Sequence, residues 1–126
     1  MRVLLDTVTL LFAIESPAKL SRAAKKVFSR ASIQRDVSVV SFVEIAVKRA
    51  GGKITVSPAD IQKGIADLEL RVLPLTPEHA MKMFDLPLHH KDPFDRQLIA
   101  QAMVEQIPIV TCDAMFELYE GLKVIW

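Results

Sequence analysis

Apolar residues along this chain come in two kinds of cluster, short unbroken runs and longer stretches at helical spacing, and the two kinds alternate. Val3-Leu4-Leu5 is a short run of the kind a buried strand requires. Asp6 or Thr7 can cap the brief apolar helix that follows through Ile14, and Pro17 stops it. From Leu20 to about Ala31 the spacing predicts a second helix, with Ala23, Ala24, Val27 and Phe28 inward and the lysines and arginines outward. Val37 to Val40 reads as a strand, after which Ser41 opens a helix through Arg49 that Gly51-Gly52 ends. Ser57-Pro58 starts another helix, Leu70 to Leu73 forms a strand, and Thr76-Pro77-Glu78 begins a further helix with proline in the favoured first turn. Leu86 to Lys91 lacks periodicity. Asp92-Pro93 then opens a strongly periodic helix, with Phe94, Leu98 and Ala102, and Ile99 and Met103, at i, i+4. Ile109 to Thr111 is a strand, Ala114 to Tyr119 a short helix, and Lys123 to Trp126 a last strand.

Short apolar strands separated by helices bury both faces of a parallel sheet, so the fold class is α/β. A length of 126 residues suits one domain over residues 1–126. With 51% hydrophobic and 25% charged residues the composition is that of a globular chain, which excludes disordered, collagen-like and coiled-coil classes. A single cysteine, Cys112, cannot form an internal disulfide, and neither a signal-peptide pattern nor a membrane-length apolar run is visible, so a cytoplasmic protein is expected. Net charge is +1, which gives no overall case for nucleic-acid binding. Its distribution is uneven: Lys19, Arg22, Lys25, Lys26, Arg30 and Arg35 follow one another with no acid between them. That run is either a solvated helix face or a footprint for a phosphate backbone.

In open parallel sheets ligands gather beyond the carboxyl ends of the strands. Acids stand at or soon after three predicted strand ends: Asp6, Glu44 and Asp113. A fourth, Asp95, lies in the first turn of the helix opened by Pro93. Each has an ordinary structural explanation, because acids favour helix starts; Ser41 and Glu44 have capping-box spacing, and Asp92 is most simply a cap. Capping accounts for each acid but not for several carboxylates at one end of a sheet, which repel one another unless something offsets them. A hard divalent cation with oxygen ligands does so, and Mg²⁺ also leaves positions for phosphate oxygens. Such an ion polarises a phosphoryl oxygen and activates water, so phosphodiester hydrolysis fits. Zinc fits poorly, since His79, His89 and His90 lack ligand spacing and His89-His90 reads as a solvated loop. There is no glycine-rich phosphate loop and no nucleophile elbow.

These segments together resemble a PIN-domain ribonuclease of the VapC-like toxin branch of toxin–antitoxin pairs. The resemblance spans nearly the whole chain and is carried by Leu4-Leu5-Asp6-Thr7, by Ser41 to Lys48, by Asp92-Pro93-Phe94-Asp95-Arg96 and the helix to Ala102, and by Ile109 to Asp113 with Phe116 and Tyr119. It implies a three-layer α/β/α sandwich with a mainly parallel sheet. It further implies that Asp6, Glu44, Asp95 and Asp113 form one catalytic pocket binding Mg²⁺ or Mn²⁺, with Thr7 and Thr111 orienting carboxylate or water. The implied activity is metal-dependent cleavage of RNA, inhibited by a cognate VapB-like antitoxin, in a homodimer. Leu10, Leu11, Phe12, Val43 and Val47 are candidates for those interfaces or for core. Lys48 either pairs with Glu44 or reaches substrate phosphate, and Arg96 either forms a surface ion pair or contacts RNA. Val8 stands where many relatives carry a polar residue. The alternatives are a non-catalytic PIN-fold binding module and a phosphoacceptor receiver, which would want a second acid beside Asp6; a haloacid-dehalogenase-like phosphatase would want one at Val8.

Overall fold

The computed structural model describes all 126 residues. Five strands form one sheet, β1 (Arg2–Leu5), β2 (Gln34–Ser38), β3 (Leu70–Leu73), β4 (Ile109–Val110) and β5 (Val124–Ile125), in the order β3-β2-β1-β4-β5. Every neighbouring pair is parallel. Six α-helices connect them: α1 (Thr7–Glu15), α2 (Arg22–Ser29), α3 (Val39–Ala50), α4 (Pro58–Asp67), α5 (Pro77–Lys82) and α6 (Pro93–Glu105). No helix is long and apolar enough to cross a membrane.

Alternation along β1 divides the interior in two. Leu4 points to one face, where it packs with Leu73, Leu98, Ile99, Ile109, Phe116 and Tyr119. Val3 and Leu5 point to the other, with Leu10, Ala24, Val27, Val37, Ile45 and Val110. Helices therefore cover both faces, giving the α/β/α layering expected of buried parallel strands.

Two boundaries differ from the sequence reading. The strand predicted at Val37–Val40 is β2 at Gln34–Ser38, and α3 begins at Val39, capped by Ser38, whose Oγ accepts the Val40 N–H. The charges of Arg35 and Asp36 hide the strand from a hydrophobicity pattern, yet both are buried. Arg35 donates to the carbonyls of Val27, Arg30, Ile33 and Leu68, while Asp36 accepts from Arg2 Nε at 2.8 Å. Since α3 starts before Ser41, that serine lies inside the helix and the capping-box explanation of Glu44 falls away. The short helix expected after β4 is a 3₁₀ helix at Ala114–Leu118.

The basic run divides as well. Arg35 is interior, whereas Lys19, Arg22, Lys25, Lys26 and Arg30 are exposed. Arg35 is the second residue of β2 and bonds the end of α2, so this end of α2 lies toward the strand starts, away from the strand ends where the acids follow.

Candidate active site

Strand order reverses between β1 and β4: the chain leaves β1 toward β2 and β3 and returns on the other side. The crevice at such a switch point is where open α/β sheets hold ligands. Asp6 follows β1, Asp113 follows β4 after Thr111 and Cys112, and Asp95 sits in the first turn of α6. Glu44 is on α3, which leaves the end of β2.

Asp6 is buried and caps α1, its Oδ1 accepting the Thr9 N–H at 2.8 Å. Burial pushes its carboxyl above the ordinary range, hydrogen bonds from Thr111 and Thr9 oppose that, and Glu44 adds to the rise. Thr9 also donates to the Val110 carbonyl at 2.9 Å, which ties α1 to β4. Glu44 is buried too. Thr7 Oγ1 lies 2.7 Å from Glu44 Oε1 and 2.8 Å from Ser41 Oγ, so the threonine donates to the carboxylate and the serine completes the chain. Lys48, one turn on, holds the other Glu44 oxygen through its ammonium. Thr111 Oγ1 accepts the Asp113 N–H at 3.0 Å.

Asp95 shows how closely the acids approach. Its carboxyl is pushed up to about 7, first by burial, then by Asp92, Glu44 and Asp6, with only His90 opposing. Asp92 is the α6 cap, its Oδ1 accepting the N–H groups of Phe94 and Asp95 at 2.8 and 3.2 Å. Asp6, Glu44 and Asp95 thus share one electrostatic neighbourhood, and Asp113 joins it through a residue the sequence reading set aside. His90 Nε2 lies 2.9 Å from Asp113 Oδ2 and 3.1 Å from Asp95 Oδ2. Ligand-capable atoms of His90, Asp95 and Asp113 all fall within 4.8 Å of one another.

His89 and His90 do not share a solvated loop: His89 is exposed, but His90 is tucked edge-on against Phe116 at 5.6 Å. No spacing rule marks it, because its partners come from three separate elements. Arg96 also departs from expectation, being neither ion-paired nor free. It donates to the carbonyls of Leu86, Pro87 and His90 and to Tyr119 Oη, bracing the loop before α6. Cys112 is exposed nearby, and burial together with Asp6 and Asp113 raises its thiol pKa, so it stays a thiol at neutral pH.

The PIN domain family matches residues 3–122. This chain is a PIN domain. No curated protein sequence matches it. Among solved structures, VapBC2 from Rickettsia felis bound to a promoter DNA fragment superposes with a TM-score of 0.75 at 13% identity, over 98% of this chain and 97% of that one. DNA-bound VapBC from Salmonella typhimurium gives 0.65 at 18% identity, over 98% and 96%. VapBC-5 from Mycobacterium tuberculosis, of the VapBC family of toxin–antitoxin systems, gives 0.59 at 17%, over 98% and 96%. At such identities the likeness speaks for the PIN fold.

A second surface feature of this PIN domain lies away from the acids. A groove of about 910 Å³ runs between α3 and α4, lined by Phe42, Ile45, Ala46, Ile54, Ile61 and Ile65 with Arg49 at its side. Val43 and Val47 on α3 are 54% and 55% exposed, whereas Leu10 is wholly buried, which removes Leu10 as an interface residue.

Proposed function

We propose that this PIN domain is a VapC-like endoribonuclease toxin: it hydrolyses phosphodiester bonds of RNA with Mg²⁺ or Mn²⁺ held by Asp6, Glu44, Asp95 and Asp113. The observation that carries the reading is the convergence of acids at the switch point between β1 and β4, where burial and neighbouring acids raise the carboxyl pKa of both Asp6 and Asp95. The donor set fits a hard divalent cation, because the four residues offer carboxylate oxygens. When bound there, such a cation supplies charge neutralisation for the phosphoryl group and acidifies a water for attack.

The chain's own residues prepare that chemistry. Thr7 fixes Glu44 by a hydroxyl bond, Thr111 bonds Asp6 and the Asp113 backbone, and the Asp92 cap sets the first turn of α6 that carries Asp95. Lys48 pairs with Glu44 and, being 37% exposed, is assigned here a further contact with an RNA phosphate. Arg96 is committed to loop carbonyls and is not assigned to RNA. We further assign the α3–α4 groove to an amphipathic segment of a VapB-like antitoxin, since an open apolar trough is how a helix is received. Exposed Val43 and Val47 are assigned to a homodimer contact.

The test is cleavage of single-stranded RNA with Mg²⁺, with Mn²⁺ and with EDTA, for the wild type and for Asp95→Asn, which keeps shape and loses charge. The expected result is divalent-dependent cleavage that falls by roughly 100-fold or more in the variant, in line with loss of an electrostatic group at a reacting centre. Full activity in Asp95→Asn, or cleavage undiminished by EDTA, refutes the assignment.

A further inference from the structure

We propose that His90 is a positioning residue that locks Asp95 and Asp113 together as an Nε2–H donor and is not itself a metal ligand. This rests on the metal-nuclease reading above. The backbone N–H of Asp92 points at His90 Nδ1 from 3.1 Å, so Nδ1 must present its lone pair. A ring proton then sits on Nε2, and Nε2 is the atom facing Asp113 Oδ2 at 2.9 Å and Asp95 Oδ2 at 3.1 Å. A nitrogen that carries a proton has no lone pair for a cation.

Four further contacts hold the ring where that donor is needed. The His90 N–H donates to Tyr119 Oη at 2.8 Å, the His90 carbonyl accepts from Arg96 Nη1 at 3.4 Å, Arg96 also holds the Pro87 carbonyl at 3.0 Å, and Phe116 meets the ring at an interplanar angle of 89°. His90, Asp92, Asp95 and Arg96 therefore act as one device: the arginine braces the loop, the cap's N–H sets the tautomer, and the imidazole spans the two acids. Asp95 comes from α6 and Asp113 from the turn after β4, and a shared N–H ties the two segments together from one side.

Two variants separate the donor from the ring. His90→Phe keeps the packing on Phe116 and loses both nitrogens; His90→Gln can return an N–H close to the Nε2 position. Mn²⁺ affinity is read by calorimetry or electron paramagnetic resonance, without reference to activity. His90→Phe is expected to bind Mn²⁺ roughly 10–100-fold more weakly, and His90→Gln to stay within about threefold of wild type. In parallel, ¹⁵N imidazole spectra of the wild-type protein should show Nε2 protonated both without and with saturating Mg²⁺, a measurement that stands even where His90→Phe fails to fold. Phe binding as tightly as wild type, Gln binding as poorly as Phe, or Nε2 releasing its proton to solvent when Mg²⁺ binds each overturns the positioning role alone. Absence of Mn²⁺ and Mg²⁺ binding by wild type overturns the metal-site reading beneath it.

Discussion

Removing a charge from the acid pocket should make the metal-free protein more stable, and the size of the gain follows from Asp95. Its carboxyl moves from an ordinary value of 3.8 to about 7 in the folded protein. At about 1.4 kcal/mol per pH unit that gap sets a ceiling of roughly 4 kcal/mol. The side chain is 18% exposed, and solvent relaxation there reduces the effect to about 2 kcal/mol. Below pH 3.8 both folded and unfolded Asp95 are protonated and nothing is lost. Between 3.8 and about 7 the unfolded chain gives up its proton while the folded one keeps it, so stability declines as pH rises, and the loss is complete above 7. Asparagine does not ionise and escapes the loss. In EDTA at about pH 8, Asp95→Asn should therefore melt roughly 6 °C above wild type for a domain of this size, and the difference should close below about pH 4. Saturating Mg²⁺ should then reverse the order, because a cation bound only by the folded wild type raises its melting temperature. The assay is thermal denaturation by circular dichroism across pH with and without Mg²⁺. An asparagine variant no more stable than wild type at high pH, or one more stable by the same amount at every pH, refutes the raised Asp95 carboxyl that burial and the neighbouring acids together produce.

Two further substitutions test the fold around the pocket. Gly64→Ala places a Cβ 2.7 Å from Ile14 Cγ1 where α4 crosses α1, so overpacking of about 1–3 kcal/mol should outweigh a helix-propensity gain of about 1 kcal/mol. Urea denaturation should show net destabilisation that Ile14→Ala relieves in the double variant, and a stabilised single variant would contradict the contact. Arg35→Met should cost about 3 kcal/mol in the same assay, because the carbonyls of Val27, Ile33 and Leu68 lose a charged donor that methionine cannot replace; a loss below about 1 kcal/mol would mean water satisfies them.

What the sequence disclosed and what it concealed follow one physical line. Where a signal is local the reading holds: Val3-Leu4-Leu5 is a strand, Ser57 and Thr76 cap helices beginning with proline, and Asp92 caps α6. Acids placed just past strands could be seen because chain order alone puts them at one edge of a parallel sheet. β2 was displaced because Arg35 and Asp36 are charged but buried, their cost met by carbonyls and by Arg2 from elsewhere in the chain. Val39 and Val40, β-branched and apolar, read as strand, yet Ser38 caps the helix ahead of them. His90 was hidden most completely, since Asp113, Phe116 and Tyr119 reach it only once β4 has docked beside β1.

The central position of β1 bears on how such a protein is made. β1 is the earliest strand, yet its β4 neighbour comes after every helix, so a nascent chain on the ribosome holds one flank of β1 open for most of its synthesis. Asp6 emerges early and Asp113 among the late residues, with His90 idle until the latter arrives. The acid pocket is thereby among the last parts of the molecule that can close during synthesis.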